Sequence, residues 1–178
     1  MKNWKYNGFT LIELLVVISI IGLLASIALV SLQTARVKAR DARRLTDIEQ
    51  ISKALQLYYD ANGYYPASGG AISPSAGFSN SNDGGWSSLA VLLQPYISLL
   101  PIDPKQDSAG WPPNGIHSYV YLSDDRCGQT KQWYMLVYRL ETANSPDPGV
   151  YDCTGALYQY GGPGATTFVK TVGISGRP

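Results

Sequence analysis

A carboxylate at the edge of the most apolar stretch of the chain is the first candidate for chemistry. Glu13 follows Phe9-Thr-Leu-Ile and precedes nineteen uncharged residues that extend from Leu14 to Leu32. A charge deep in hydrocarbon costs on the order of 3 kcal/mol, so such residues usually have a partner. Because Glu13 lies near one end of the stretch, a side chain that reaches the membrane surface is the alternative. The pattern therefore favours ion pairing as the chemistry of this residue.

The other residues that could do chemistry are scattered and form no catalytic set. Cys127 and Cys153 are too far apart for a CxxC motif, and no further cysteine or histidine joins them as a metal set. In a domain outside the cytoplasm we predict a disulfide between them, with two unpaired core residues as the alternative. His117 is the only histidine and falls within a predicted strand, so we predict a structural role for it. We predict that the chain is not an enzyme.

Composition divides the chain into two parts. The 178 residues are 45% hydrophobic and 15% charged, with a net charge of +1. Most of the apolar excess lies between Phe9 and Leu32, whereas the rest is rich in Gly, Pro, Ser and Tyr. Nineteen helical residues span roughly 28 Å, close to the hydrocarbon core of a bilayer. We therefore predict a retained membrane segment joined to an exported domain, and the small net charge gives no reason to expect nucleic acid as a partner.

The residues from Gly8 to Glu13, Gly-Phe-Thr-Leu-Ile-Glu, resemble the N-terminal signal of type IV prepilins and type II secretion pseudopilins. The resemblance implies that residues 1–8 are a leader, which a prepilin peptidase removes by cleaving after Gly8. It also implies that the new N-terminal residue, Phe9, is N-methylated. Phe9 and Glu13 are four residues apart and so share one face of a helix. We expect the freed amine of one subunit to pair with Glu13 of another during assembly.

The resemblance also implies partners, a location and a function. The partners would be identical or related pilin subunits, an assembly platform in the inner membrane, and the lipid bilayer before assembly. The chain would cross the inner membrane once, with its head outside the cytoplasm, and then enter an extracellular pilus or a periplasmic pseudopilus. We therefore predict a structural subunit of a type IV pilus-like filament. A pseudopilin of a type II secretion system and a tethered binding module that does not polymerise are the alternatives.

One long helix is predicted to carry both the membrane segment and its continuation. Residues 9–35 form the transmembrane and assembly helix, and residues 36–62 form an amphipathic extension. The extension contains apolar residues at three- and four-residue steps, which predict one buried stripe: Leu45, Ile48, Ile51, Leu55 and Tyr58. Asn62 and Gly63 are typical of a helix end, and Pro66 prevents continuation.

Five basic residues lie just beyond the membrane segment, between Arg36 and Arg44. We interpret this basic cluster as a solvated face near lipid headgroups, where Lys and Arg are favourable. One alternative is pairing with Asp41 or Asp47 of a neighbouring subunit. DNA binding is another, but five charges on a helix support it only weakly.

Residues 63–178 are predicted to form the head domain. Aromatic and β-branched residues predict an antiparallel pair of strands at 116–122 and 132–140, with weaker strands at 150–153 and 166–172. A short helix is predicted at 86–93 after a loop at 67–85. The fold class is therefore α+β, a long helix packed on a small antiparallel sheet, which is the pilin fold.

Two further segments of the head resemble major pseudopilins. They are the helix exit Gly63-Tyr-Tyr-Pro66 and the segment Leu99-Leu-Pro-Ile-Asp-Pro104. Major pseudopilins often bind calcium in the loop after their last strands, and residues 141–152 lie in a comparable place. Carboxylates in turns suit that ion. Asp147 and Asp152 are therefore candidate calcium ligands, while no other metal or cofactor is predicted.

Overall fold

The computed structural model describes residues 8–69, 77–107, 110–125, 131–143, 145–152, 154–162 and 167–174. The chain divides into two units, Met1–Val37 and Lys38–Pro178. A single helix, α1 (Leu11–Asn62), contributes to both. The predicted helix is confirmed: the observed one begins two residues later than predicted and ends at the predicted residue 62.

The first unit consists of the apolar half of α1. Every described side chain from Gly8 to Arg36 is exposed, including bulky Leu, Ile and Val residues. Such a surface is unfavourable in water, because each buried methylene would contribute about 0.8 kcal/mol. By length and composition α1 is able to cross a membrane. These residues therefore need lipid or other apolar helices around them.

In the second unit one side of α1 is buried against the sheet. The buried apolar residues are Ile48, Ile51, Ala54, Leu55 and Tyr58. The predicted stripe is thus confirmed except at Leu45, which is 45% exposed. Arg44, the preceding residue, is buried in its place. Spacing alone assigned Leu45 to the stripe, whereas the ion partners of Arg44 decide which side of this turn faces the head.

The described residues of the head form a second helix and six strands. Helix α2 (Gly84–Leu93) and a 3₁₀ turn (Pro112–Asn114) precede most of the strands. The strands are β1 (Ser79–Asn80), β2 (Val120–Leu122), β3 (Tyr134–Arg139), β4 (Val150–Tyr151), β5 (Leu157–Tyr158) and β6 (Val169–Ile174). Four of them form an antiparallel sheet in the order β1-β2-β3-β6, and β4 pairs with β5 separately.

The central strands are buried on both faces of the sheet. Side chains of a strand alternate between faces. Tyr134, Leu136 and Tyr138 of β3 accordingly pack in the core cluster that contains α1 and α2. Met135 and Val137 of the same strand pack in a second cluster on the other face. That second cluster is covered by half-buried aromatic residues, namely Trp111, Tyr158 and Tyr160.

The α+β class and the central antiparallel pair are confirmed, while several bounds differ. Strand β6 begins three residues later and ends two residues later than the predicted strand at 166–172. Strand β4 pairs with β5, which has two residues and no recognisable pattern. Helix α2 begins two residues earlier than predicted, because Asp83 caps it through a hydrogen bond from the backbone N–H of Trp86 (3.1 Å).

The segment after α1 ends the helix where the sequence predicted. Gly63 has a φ of +77°, and its N–H donates to the carbonyl of Tyr59 (2.7 Å). Glycine adopts this left-handed conformation with little strain, so Gly63 ends the helix at low conformational cost. Tyr65 is then buried against Tyr134, and the carbonyl of Pro66 accepts the hydroxyl of Tyr121 (2.7 Å). The exit segment thereby fixes the end of α1 to the sheet.

Candidate functional site

The start of α1 is a capping box made by Thr10 and Glu13. The backbone N–H and the hydroxyl of Thr10 donate to Glu13 Oε2, at 2.8 and 2.7 Å. The N–H of Glu13 donates in return to Thr10 Oγ1 (3.3 Å). This reciprocal pattern satisfies backbone donors that the first turn of a helix otherwise leaves free. Sequence reasoning missed it, although Thr-Leu-Ile-Glu matches the S/T-x-x-E pattern.

The capping box uses one oxygen of the Glu13 carboxylate. Among the residues that the structure describes, no donor reaches Oε1. Phe9, Ile12, Glu13, Val16 and Val17 line one shallow and mainly apolar depression on the first unit. Phe9 and Glu13 therefore share one face, as their spacing predicted. This arrangement presents one carboxylate oxygen beside an apolar surface that a second molecule can cover.

In the head, Arg44 is fully buried at the centre of an ion network. Its Nε and Nη2 donate to the two oxygens of Asp103, at 2.8 and 3.0 Å. Its Nη1 donates to Asp41 (2.7 Å) and to Glu141 (2.8 Å). Planar, two-point contacts of this kind are what a guanidinium makes best with a carboxylate. Asp103 is the acidic residue of the Leu-Pro-Ile-Asp-Pro segment, so this segment is held directly against α1.

The turn after β3 is fixed to α1 by the same network. Arg40 donates from Nε and Nη2 to the two oxygens of Glu141, both at 2.6 Å. Asp41 accepts the backbone N–H groups of Glu141 (2.8 Å) and Thr142 (3.0 Å), and also the hydroxyl of Thr142 (2.7 Å). Two distant segments thus converge on the turns of α1 that begin the second unit.

The network shifts the pKa values of Glu141 and Arg44. Hydrogen bonds from Arg40, with those from Arg44, outweigh burial and lower the pKa of Glu141 to about 2. Burial disfavours the charged form of Arg44, but its hydrogen bonds to Asp103 and Glu141 dominate and hold its pKa above the ordinary value. Folding therefore favours the ionised forms of Glu141 and Arg44.

The interpretation of the basic cluster as a solvated face is wrong for Arg44 and incomplete for Arg40. Both are paired within their own chain, whereas Arg43 is 63% exposed in its side chain. Asp47 is also buried and accepts the hydroxyl of Tyr119 (2.9 Å). Asp41 and Asp47 are thus occupied inside the head. Spacing along the helix could not reveal this, because their partners lie far away in sequence.

Asp147 and Asp152 fix the turns around β4 and β5. Asp147 is buried and accepts the N–H groups of Gly149 (3.2 Å) and Gly161 (2.8 Å), and both the N–H (2.5 Å) and hydroxyl (2.8 Å) of Thr171. Asp152 accepts the N–H (2.8 Å) and hydroxyl (2.6 Å) of Thr154. In the described parts of the chain no group of three or more His, Cys, Asp or Glu residues could hold a metal ion. Calcium binding here stays a prediction.

The remaining predicted site residues are His117 and the two cysteines. His117 is buried, and its backbone N–H and Nδ1 contact the same oxygen of Asp107, at 3.0 and 2.8 Å. This contact lowers the pKa of Asp107 and fixes the loop that contains it. Cys127 and Cys153 lie outside the described residues, so their disulfide stays a prediction.

Comparison with known proteins bears on the N-terminal segment. Residues 5–29 match the family model of the prokaryotic N-terminal methylation motif. The pilin-like N-terminus is confirmed. The match begins in the predicted leader and extends through most of the apolar half of α1, so it includes the capping box and the depression beside it.

Relatives of two kinds match part of this chain. Type II secretion system core protein G of Aeromonas hydrophila is 38% identical over 66 residues, and that of Escherichia coli is 42% identical over 62 residues. A fimbrial protein of Neisseria meningitidis is 36% identical over 81 residues. These matches cover 37%, 35% and 46% of this chain, and 46%, 43% and 45% of the relatives. The chain thus spans less than half the length of the curated relatives it matches, and no solved structure matches it significantly.

Proposed function

We propose that the chain is a structural subunit of a type IV pilus-like filament and polymerises through the first half of α1. The observation that carries the proposal is the first unit itself, a methylation motif on an apolar helix whose described side chains are all exposed. Such a helix is stable only when lipid or neighbouring helices cover it. A filament supplies the second environment after the membrane has supplied the first.

The small residues of α1 support close packing between copies. Gly22, Ala25 and Ala28 interrupt the bulky residues and let helix backbones approach. The hydroxyls of Ser19 and Ser26 donate to carbonyls of their own helix, those of Leu15 (2.8 Å) and Leu23 (2.7 Å). These serines therefore add small size without bringing an unsatisfied polar group into an apolar environment.

Glu13 gives the assembly its register. Cleavage between Gly8 and Phe9 by a prepilin peptidase would create a positive amine one helical turn from Glu13. Burying either charge alone is costly, and pairing the amine of one copy with the carboxylate of another offsets that cost. The unoccupied Oε1 beside the apolar depression is the atom that would accept this amine. Methylation of Phe9 keeps the amine positive and adds apolar surface.

A pseudopilin of a type II secretion system is the second candidate. Two observations favour it: the relatives from Aeromonas hydrophila and Escherichia coli are type II secretion core proteins, and the Leu-Pro-Ile-Asp-Pro segment has a structural role through Asp103. In either case we place the chain in the inner membrane before assembly, with its head outside the cytoplasm. A membrane-bound assembly platform would be the partner that adds subunits.

Substitution of Glu13 tests the proposal. We expect Glu13→Ala to reduce filament yield at least tenfold, because the amine of the neighbouring copy loses its partner. Membrane insertion and the unfolding midpoint of the head should be unchanged. Glu49→Ala is the matched control, since the Glu49 side chain is 66% exposed and pairs only with Lys53. Normal assembly of the Glu13→Ala chain would contradict the proposed role.

Mass spectrometry of the N-terminal peptide distinguishes the two candidates. A peptide that starts at methylated Phe9 in sheared surface filaments would support a pilus subunit. The same peptide confined to membranes would support the pseudopilin. An intact leader in every fraction would exclude both and leave a tethered domain that does not polymerise.

A further inference from the structure

The head exposes a group of apolar side chains along α2 and the segment that follows it. Leu99 is 80% exposed, Val91 71%, Ile102 44% and Leu92 41%. We call these four residues the α2 surface. Scattered apolar residues are normal on a protein surface, but four within twelve residues are a concentration that needs a reason.

The segment that carries the α2 surface is firmly placed. Leu93 and Leu100 are both buried in the main core cluster. The N–H groups of Tyr96 and Ile97 donate to the carbonyl of Leu93, at 2.9 and 3.0 Å, and the indole N–H of Trp86 donates to the carbonyl of Pro101 (3.1 Å). The segment therefore folds back along α2. Its outward side chains are held in place by the inward ones.

The chemistry of the α2 surface indicates a protein partner. Residues 84–102 include no Asp, Glu, Lys, Arg or His. Surfaces that bind anionic lipid combine apolar side chains with basic ones, and this segment supplies none. The centres of protein–protein interfaces, in contrast, are depleted in charge. An uncharged apolar surface therefore fits another protein better than a lipid headgroup layer.

The size of the α2 surface indicates which protein is the partner. Its four side chains together expose on the order of 400 Å². A standard stable interface buries about 800 Å² on each partner, so the α2 surface alone would not hold two soluble proteins together. It suffices where another contact already keeps the partners adjacent, as α1 would in a filament.

We propose that a second copy of this chain covers the α2 surface in the assembled filament. This inference rests on the proposed function, because only polymerisation through α1 brings the heads close enough. Glu13 sets the axial register of neighbouring copies, and the contact between their heads then stabilises the filament laterally. Before assembly the α2 surface is open to solvent.

Site-specific photo-cross-linking of the full chain tests this contact. A benzophenone amino acid at position 99 should give covalent dimers in assembled filaments. The same group at position 157 is the control, because Leu157 is 44% exposed but lies in the β4–β5 hairpin. Dimers at 99 that exceed those at 157 at least fivefold would support the proposal. Adducts with lipid, adducts with a different protein, or monomers only would overturn it.

A charged substitution gives an independent readout. Leu99→Asp should lower filament yield about tenfold, since a charge would be desolvated in each contact. Leu157→Asp should assemble normally. The thermal unfolding midpoint of the unassembled Leu99→Asp chain should match wild type, because the residue it replaces is largely exposed. Normal assembly of Leu99→Asp would overturn the inference and leave the proposed function intact, whereas a wild-type chain that forms no filaments would contradict the function itself.

Discussion

The carboxylates at the start of α1 and in the head are satisfied in opposite ways. Glu13 is bonded only by Thr10, three residues away, and keeps Oε1 without a donor from the described residues. Glu141 is bonded by Arg40 and Arg44, roughly a hundred residues away in sequence. Among the described residues, the donors to the first carboxylate come from Thr10 alone. The second is completed entirely by its own chain.

This difference separates assembly from folding. Carboxylates that are saturated inside a domain stabilise that domain only while all partners stay in place. Glu13, with an oxygen that receives no donor from the described residues, is the carboxylate for which we propose a partner in another copy. The head therefore encloses Arg44 with its carboxylate partners, while the described side chains of the first half of α1 are exposed. Two substitutions and a change of pH test this contrast.

Loss of Arg44 should have the largest effect on the head. We expect Arg44→Ala to lower the free energy of unfolding by about 3–5 kcal/mol, because Asp41 and Asp103 would remain buried without the guanidinium that they share. Urea unfolding of the full chain in detergent, followed by tryptophan fluorescence, measures it. Arg43→Ala is the control and should cost less than about 1 kcal/mol, since its side chain is 63% exposed. Equal losses in both variants would argue against a network centred on Arg44.

Acid should weaken the head through Glu141. Its pKa is about 2 in the folded chain, against an ordinary value of 4.5, so folding favours the ionised form. This contribution is complete above the ordinary pKa and disappears as pH falls from there toward 2. The loss should be on the order of 2–3 kcal/mol and can be followed by urea unfolding at a series of pH values. In Glu141→Gln that portion of the pH dependence should be absent. An unchanged acid profile in the variant would assign the dependence to other groups.

The smallest effect should come from the capping box. Thr10→Val keeps the shape of the side chain but removes its hydroxyl, which should cost the start of α1 about 1 kcal/mol. Hydrogen exchange in detergent would then show roughly fivefold faster exchange of the amides in the first turn. Thr10→Ser should retain protection, and unfolding of the head should be unchanged in both. Unchanged exchange in Thr10→Val would show that the capping box is absent in the membrane-like environment.

Local patterns account for what the sequence predicted well. The bounds of α1 follow from an uninterrupted run of helix formers and from Asn62-Gly63, and the central strand pair follows from aromatic and β-branched residues. These patterns predicted less where an element has only two residues, or where the partners of a side chain lie far away in sequence. Strands β1 and β5 have two residues each, and the exposure of Leu45 depends on the burial of Arg44.

By itself the sequence determined the methylation motif, the membrane-length helix and the shared face of Phe9 and Glu13, because each depends on residues within a few turns of one another. Only the tertiary structure decided that Arg44 is buried, since its partner Asp103 is 59 residues away and Glu141 is 97 residues away. Charge spacing on a helix predicts a solvated face unless a folded domain brings carboxylates to it. The sequence likewise could not show which apolar residues of residues 84–102 are exposed. Exposed and buried residues there are of the same types, and only the tertiary packing distinguishes them.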